Sequence, residues 1–306
     1  MKRPIEELVE LQVGIGQTMF IDERNPGIEM AIVSVRGLSI DRAGRERMDF
    51  MPVQKAVDPV PAATMLLLRD KPEFQVLMVK RHHQIDFASG ALVFPGGKPS
   101  AGDAAPEWAD HCRGGSALDD TQRALRIAAI REAYEEAGIL LAEHLDGSMF
   151  EGTCDLESRK AVERGEREFL DVVREADLHL RLDRMSDFAR WITPTFMPKR
   201  FDTHFFVVRA PERQIAACDG YETVDAEWLS PRKALEMEAS GERTIIFPTR
   251  LNLQLLAEAA SAEDCVARAE AREIVTVLPD VVQRDGKNVL TIPQDAGYGP
   301  AYEIMS

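Results

Sequence analysis

Three glutamates within one short segment are the residues of this chain best placed to do chemistry. Glu132, Glu135 and Glu136 lie in residues 131–139, which read REAYEEAGI. In an α-helix, residues three and four positions apart share a face, so the three carboxylates converge near one edge and repel one another. A divalent cation turns this repulsion into attraction, and hard cations such as Mg²⁺ prefer oxygen ligands. The spacing indicates either a metal site or a solvated acidic helix face, and the flanking residues decide between them.

Helical signals surround these glutamates. Apolar residues recur at helical spacing from about residue 117 to 137, which predicts a helix with one side packed against a sheet. These apolar positions are Leu125, Ala128, Ala129, Ile130 and Tyr134. Residues 116–119 form a Ser-x-x-Asp pattern typical of a capping box, and Gly138 is predicted as the glycine that ends the helix.

The segment around the glutamates resembles the second half of a Nudix box. That pattern has a Gly, five residues, a Glu, seven residues, Arg-Glu, an aliphatic, any residue, Glu-Glu, any residue, Gly and an aliphatic. From Arg131 to Ile139 the match is complete except that Ala133 takes the first aliphatic place. Upstream, residues 94–98 (FPGGK) follow an apolar, strand-like segment, and Gly97 matches the opening glycine.

Two departures separate this chain from the pattern. Gly97 precedes Arg131 by 34 positions where the pattern has 14, so 20 additional residues lie between the two halves. Their Pro and Gly residues predict a surface loop. The outer Glu of the pattern would fall at Arg123, so that carboxylate is missing. Asp119 or Asp120, about one helical turn earlier, is predicted to substitute for it.

A narrower resemblance lies in front of the box. Arg81, Gly90 and the Phe-Pro-Gly-Gly of residues 94–97 are spaced as in coenzyme A diphosphatases of the Nudix superfamily. His82 and Asp86 depart from that signature, which usually has Ser and a second Arg there. The long insertion and residues 200–203 (RFDT) look most like the animal peroxisomal branch of these coenzyme A diphosphatases and its bacterial relatives. The likeness runs, with gaps, from about residue 61 to 256.

This resemblance implies metal-assisted hydrolysis of a diphosphate bond. Glu132, Glu135 and Glu136 would hold Mg²⁺ or Mn²⁺, and by resemblance the Gly97 carbonyl would complete the metal shell. Arg131 lies four residues before Glu135, so it can fix that carboxylate in its metal-facing rotamer. Together with Glu222, these four charged residues are the predicted catalytic set.

Glu222 precedes a predicted strand, where some Nudix enzymes place a distant metal-binding or basic glutamate. A solvated loop acid is an equally good interpretation of this residue. Arg81, Lys98 and Arg200 are predicted substrate contacts, with a surface charge as the alternative for each. His82 and His83 are adjacent on a strand and point to opposite faces, so they are not assigned to catalysis.

The predicted substrate is a small nucleoside diphosphate derivative, above all CoA or an acyl-CoA. A general ADP-ribose or dinucleotide diphosphatase is the second interpretation. The ADP-ribose branch commonly has a proline about 15 residues beyond its box, and no proline occurs between Ile139 and Met185. A Nudix-fold ligand sensor without turnover is the third, although a binder has no need of three clustered carboxylates.

Composition and charge agree with such an enzyme. With 37 basic and 52 acidic residues, the net charge of −15 argues against a nucleic-acid or anionic-membrane surface. The sequence shows neither a secretory signal nor an apolar run of membrane-spanning length, and it does not end in a peroxisomal Ser-Lys-Leu, so we expect a cytoplasmic protein. The four cysteines are scattered and are predicted to be reduced thiols.

The resemblance implies an α/β fold, a Nudix α/β/α sandwich with a mixed β-sheet, elaborated by helical insertions and terminal extensions. We predict an N-terminal extension at 1–58, a Nudix domain at 59–260 with insertions near 99–120 and 155–190, and a C-terminal extension at 261–306. That extension would pack on the core or on a second subunit of a homodimer. Outside the glutamate helix, we predict strands at 62–68 and 74–80 joined by a hairpin-like turn, and further strands at 191–195, 203–209 and 223–229. Helices are predicted at 156–176, from 231 and at 248–260, and a second hairpin around 285–286.

Overall fold

The computed structural model describes the chain over several ranges separated by short gaps. They are residues 9–12, 17–21, 32–40, 46–51, 57–81, 90–218 and 223–304. The chain groups into two units. One comprises Asp58–Pro279 and Ile292–Ala301, and the other comprises Met1–Val57, Asp280–Thr291 and Tyr302–Ser306. The domain boundaries given above stay predictions.

The strands and helices follow one another along the chain. The strands are β1 Val9–Gln12, β2 Gln17–Ile21, β3 Ile32–Ile40, β4 Glu46–Met51, β5 Val60–Arg69, β6 Gln75–Arg81, β7 Leu92–Val93, β8 Gly96–Gly97, β9 Cys112–Arg113, β10 Ala142–His144, β11 Leu178–Arg181, β12 Ser186–Ile192, β13 Phe201–Arg209, β14 Thr223–Leu229, β15 Thr276–Val277, β16 Asp280–Arg284, β17 Lys287–Thr291 and β18 Tyr302–Ile304. The α-helices are α1 Asp120–Ala137, α2 Leu156–Glu163, α3 Phe169–Glu175, α4 Pro231–Ala239, α5 Phe247–Leu256 and α6 Ala262–Ala271.

A mixed β-sheet forms the centre of the larger unit. Its strand order is β14-β6-β5-β13-β12-β15, with β7 paired to β6 and β8 paired to β5. β5 runs parallel to β13 and antiparallel to β6, as the predicted hairpin requires. Met65 and Leu67 of β5 join the core cluster that contains α1, while Leu66 and Leu68 on the opposite face are equally buried. Both faces of the sheet are therefore covered, which explains the continuous apolar run of β5.

The glutamate helix is α1, and its ends are set by local sequence. Gly138 adopts a left-handed conformation, with φ 68°, and ends the helix as predicted. The N-cap is Asp119, whose carboxylate accepts a 2.7 Å hydrogen bond from the Gln122 N–H. The predicted capping box at Ser116 is wrong, because Ser116 lies in a separate 3₁₀ turn, Gly115–Ala117.

The insertion between the two halves of the box lies mostly at the surface, as predicted, but two of its residues, Asp103 and Trp108, are buried. It contains 3₁₀ turns at Ala101–Ala104 and Pro106–Asp110. Trp108 is fully buried, its indole N–H donates to the Gly102 carbonyl at 2.9 Å, and its ring packs against Phe169 of α3. The prediction missed this anchor in the core, because the spacing of Pro and Gly residues does not reveal a buried aromatic side chain.

Two further differences concern helices. The helix predicted over 156–176 divides into α2 and α3, with Gly165 in a left-handed conformation between them. Helix α6 was not predicted as a helix, although Ser261 caps it by accepting a hydrogen bond from the Asp264 N–H at 3.1 Å. In the described part of the chain, no helix is long and apolar enough to cross a membrane.

The described residues of the smaller unit form antiparallel strands. β1 to β4 pair in chain order, and β17 pairs with both β16 and β18. The predicted hairpin is confirmed between β16 and β17, where Asp285 and Gly286 both have positive φ values, as a tight hairpin turn requires.

Candidate active site

Two glycines bring strand β8 against the acidic face of α1. The Gly96 N–H donates to Glu136 Oε2 at 3.0 Å. A Cβ atom placed on Gly97 would lie 2.4 Å from the carboxyl carbon of Glu132, closer than real contacts allow. Glu132, Glu135 and Glu136 are all buried. The structure therefore brings Gly97 together with the predicted glutamates despite the long insertion between them.

Replacing Gly97 by alanine is expected to reduce turnover about 10²-fold, because the added methyl group displaces the Glu132 carboxylate from its position beside the strand. Steady-state kinetics on a diphosphate substrate would measure this loss. Gly115→Ala is the matched control, since a Cβ at Gly115 meets its nearest atom at an ordinary 3.4 Å. Equal activity in both variants would contradict the importance of this close approach.

Arg131 lies at the centre of the carboxylate cluster. Its Nη1 donates to both Glu135 oxygens, at 3.0 and 3.1 Å, and lies 3.0 Å from Glu132 Oε1. The contact with Glu135 is the one that the i, i+4 spacing predicts. The Nε and Nη2 atoms face away from the glutamates, toward Asp103 and the Lys98 carbonyl.

Asp103 is the site residue that sequence reasoning missed. It lies in the insertion, is 1% exposed, and makes contacts of 3.0 to 3.2 Å with the Arg131 guanidinium. Neither predicted substitute for the missing outer Glu does this, because Asp119 caps α1 and Asp120 pairs with Arg123 at the surface. The available signal was Ser100 three residues before Asp103, a capping-box spacing within the insertion.

Burial dominates the electrostatics of the cluster. It raises the pKa of Glu135 to about 8, opposed by Arg131 and reinforced by the Glu132 charge. Burial alone would lower the pKa of Arg131, but the neighbouring Glu132 and Asp103 carboxylates raise it well above its usual value. The guanidinium is therefore a permanent positive charge in a buried, acidic environment.

The other predicted site residues lie in different surroundings. Lys98 is exposed, and its main-chain carbonyl, not its side chain, meets Arg131 at 2.8 Å. Arg200 is buried, and its Nε donates to the Thr193 carbonyl at 2.9 Å. The backbone of Arg81 pairs with Thr223 at the end of β6, while its side chain and Glu222 lie outside the described residues.

Arg159 of α2 holds the C-terminal end of α1. It is buried and donates to the Glu135 carbonyl at 2.8 and 3.2 Å and to the Ala217 carbonyl at 2.8 Å. A cation at this end of a helix also interacts favourably with the helix dipole. The predicted helical insertion therefore fixes the backbone of a site residue.

Replacing Arg159 by methionine is expected to lower the free energy of unfolding by about 1–3 kcal/mol, because buried carbonyl groups lose their hydrogen-bond donor. Urea denaturation would measure the change. Arg164→Met is a suitable control on the same segment, since Arg164 is exposed and its contacts, with the Lys160 carbonyl and with Glu166, are both local. An equal loss of unfolding free energy in both variants would show that the hydrogen bonds of Arg159 contribute nothing specific.

Comparisons with known proteins agree with this geometry. Residues 109–255 match the family model of the NUDT19 Nudix domain, a range that includes α1 but begins after Gly97 and Asp103. The acyl-coenzyme A diphosphatase NUDT19 of Xenopus laevis is 24% identical over 273 residues, covering 74% of this chain and 72% of the relative. The human protein of that name is 28% identical over 243 residues, covering 64% of this chain and 65% of the relative. A crystal structure of a NUDIX hydrolase from Alicyclobacillus acidocaldarius superposes with a TM-score of 0.60 at 28% identity, covering 69% of this chain and 96% of that structure.

The mixed sheet, its buried acidic helix and these matches support a Nudix hydrolase, a pyrophosphohydrolase with the predicted α/β sandwich fold. Within that superfamily it is related to the coenzyme A diphosphatase branch, as predicted from the sequence.

Nudix hydrolases generally use divalent metal ions, and the donor atoms here suit one. Three carboxylates on one buried helix face beside the Gly97 backbone provide hard oxygen ligands. Among the described residues, however, no three His, Cys, Asp or Glu side chains already form a metal-holding group. Glu132 and Glu135 instead face Arg131, so metal binding requires these carboxylates to turn.

Proposed function

We propose that this protein hydrolyses the diphosphate bond of CoA or an acyl-CoA in a metal-dependent reaction that yields two phosphomonoesters. The observation that carries the proposal is the cluster of Glu132, Glu135 and Glu136 buried beside Gly97, in a chain related to proteins named acyl-coenzyme A diphosphatase. Mg²⁺ and Mn²⁺ are the proposed ions because both suit carboxylate and phosphate oxygens.

The three glutamates, with the Gly97 carbonyl, would hold the cation. When bound, it neutralises phosphate charge and lowers the pKa of a coordinated water. Arg131 fixes the Glu135 carboxylate by two hydrogen bonds, and the Gly96 N–H fixes that of Glu136. These contacts keep the carboxylates on one side of α1, from which Glu132 and Glu135 would turn away from Arg131 toward the cation.

Glu222, Arg81, Lys98 and Arg200 remain proposed site residues. Glu222 would act as a distant metal ligand or base, and the three cations would contact the substrate phosphates, offsetting the net charge of −15. The buried position of Arg200 favours a role in holding the β12–β13 connection, so a mutational effect there would need a stability control.

A substrate panel tests the proposed function. The protein with Mg²⁺ or Mn²⁺ would be incubated with CoA, acyl-CoA esters, ADP-ribose, dinucleotides and nucleoside triphosphates, and the products would be separated by chromatography. Fastest turnover of the CoA compounds is the expected result. A preference for ADP-ribose or dinucleotides would replace the substrate assignment, and nucleotide binding without any monoester product would indicate a ligand sensor.

Cytoplasmic location and a homodimer are also proposed, the latter through the C-terminal extension. Imaging of a tagged protein and light scattering of the purified chain would test them separately.

A further inference from the structure

The guanidinium of Arg131 divides its hydrogen bonds between two groups of acceptors. Its Nη1 faces Glu132 and Glu135 of the same helix. Its Nε and Nη2 face Asp103 and the Lys98 carbonyl, both at the start of the insertion. A cation at the glutamates would therefore compete with only one edge of Arg131, and the other edge would keep its partners.

Asp103 is itself held in place by the insertion. The Ser100 N–H donates to Asp103 Oδ2 at 2.7 Å. Trp108, five residues after Asp103, is buried and donates its indole N–H to the Gly102 carbonyl. Its ring packs on Phe169 of α3, and Phe169 also contacts Tyr134 of α1. The insertion and α3 thus form a brace that joins Asp103 to the helix bearing the glutamates.

The charges show what this brace does. Asp103 supplies a negative partner for Arg131 that does not belong to α1, at 1% exposure, where solvent screens little. Without it, the positive charge of Arg131 would be balanced by Glu132 and Glu135 alone, the same carboxylates that a cation needs. Asp103 therefore favours cation binding without touching the cation.

We propose that Asp103 is a positioning residue that holds Arg131 and so makes Glu132 and Glu135 available to a divalent cation. The Nudix pattern has its outer Glu where this chain has Arg123. Asp103 would supply that missing negative charge from a different segment. This inference rests on the proposed metal dependence, and its test does not require the substrate to be known.

Calorimetric titration of the full chain with Mn²⁺ and Mg²⁺ tests the proposal. Asp103→Asn keeps the shape and removes the charge, and we expect the dissociation constant for the cation to rise about 10-fold or more, as for other partners of ligand-orienting groups. Asp103→Glu restores the charge and should recover part of the affinity. Asp183→Asn is the matched control, because Asp183 accepts two hydrogen bonds from Arg181, at 2.8 and 2.7 Å, away from the glutamates.

Circular dichroism would establish that each variant is folded. Trp108→Phe provides a second route if Asp103→Asn does not fold, because it loosens the brace while keeping every charge. We then expect a smaller loss of cation affinity in the same direction. The proposal would be overturned if the folded Asp103→Asn variant bound the cation with wild-type affinity. If only Trp108→Phe can be measured, wild-type affinity in that variant would overturn it. Asp103 would then have a purely structural role. No cation binding by the wild-type protein would instead overturn the proposed metal dependence, and this inference with it.

Discussion

Glu135→Gln is expected to reduce hydrolysis about 10²–10⁴-fold while the protein stays folded. The Glu135 carboxylate lies on the acidic face of α1 against Arg131, and a neutral amide cannot supply the negative oxygen that a cation and the reaction require. The amide keeps the shape of the side chain and one acceptor for Arg131, and Asp103 and Glu132 still face the guanidinium, so the melting temperature should change little.

The measurement is kcat for the best substrate of the panel at saturating Mg²⁺, together with thermal unfolding of the same preparation. Glu175→Gln is the control, since Glu175 is an exposed residue of α3 that pairs with Arg167. Undiminished turnover in Glu135→Gln would refute the assignment of this helix to catalysis. A large fall in melting temperature would show that the activity loss reports folding.

Arg131→Met is expected to lower the free energy of unfolding by about 3–5 kcal/mol, because it leaves buried carboxylates without their positive partner. Asp103, which is 1% exposed, loses its ion pair, and Glu132 and Glu135 lose theirs. Urea denaturation in the presence of EDTA measures the effect. Added Mg²⁺ should stabilise the variant more than the wild-type protein, since a cation can then replace the missing positive charge.

Arg190→Met is the appropriate control for this change. Arg190 makes two hydrogen bonds to Asp202, at 2.8 and 2.6 Å, but it is 39% exposed in its side chain, so its removal should cost about 0–1 kcal/mol. Similar losses in both variants would mean that burial does not set the strength of the Arg131 cluster. An equal response of wild type and Arg131→Met to Mg²⁺ would argue against cation binding at the glutamates.

Local sequence was sufficient to predict the main features of α1 and of the hairpins. The spacing of Glu132, Glu135 and Glu136, the contact from Arg131 to Glu135 and the ending at Gly138 depend on residues within about two helical turns. The same holds for β5 with β6 and for the Asp285–Gly286 turn. A regular helix or a tight turn fixes such neighbours through backbone geometry alone, so these predictions needed no knowledge of the rest of the chain.

The tertiary structure decided what surrounds the glutamates. Gly97, 34 positions before Arg131, reaches α1 because β8 pairs with β5 and α1 packs on that sheet. Asp103 meets Arg131 across 28 positions because the buried Trp108 anchors the insertion in the core, and Arg159 meets the Glu135 carbonyl across 24. The family pattern indicated Gly97, but helix spacing predicted neither the Asp103 nor the Arg159 contact, because buried charges find partners through packing between segments that are distant in the chain. The sequence by itself therefore determined the acidic helix and the class of reaction. Tertiary packing decided that Asp103 is the carboxylate outside α1 that pairs with Arg131.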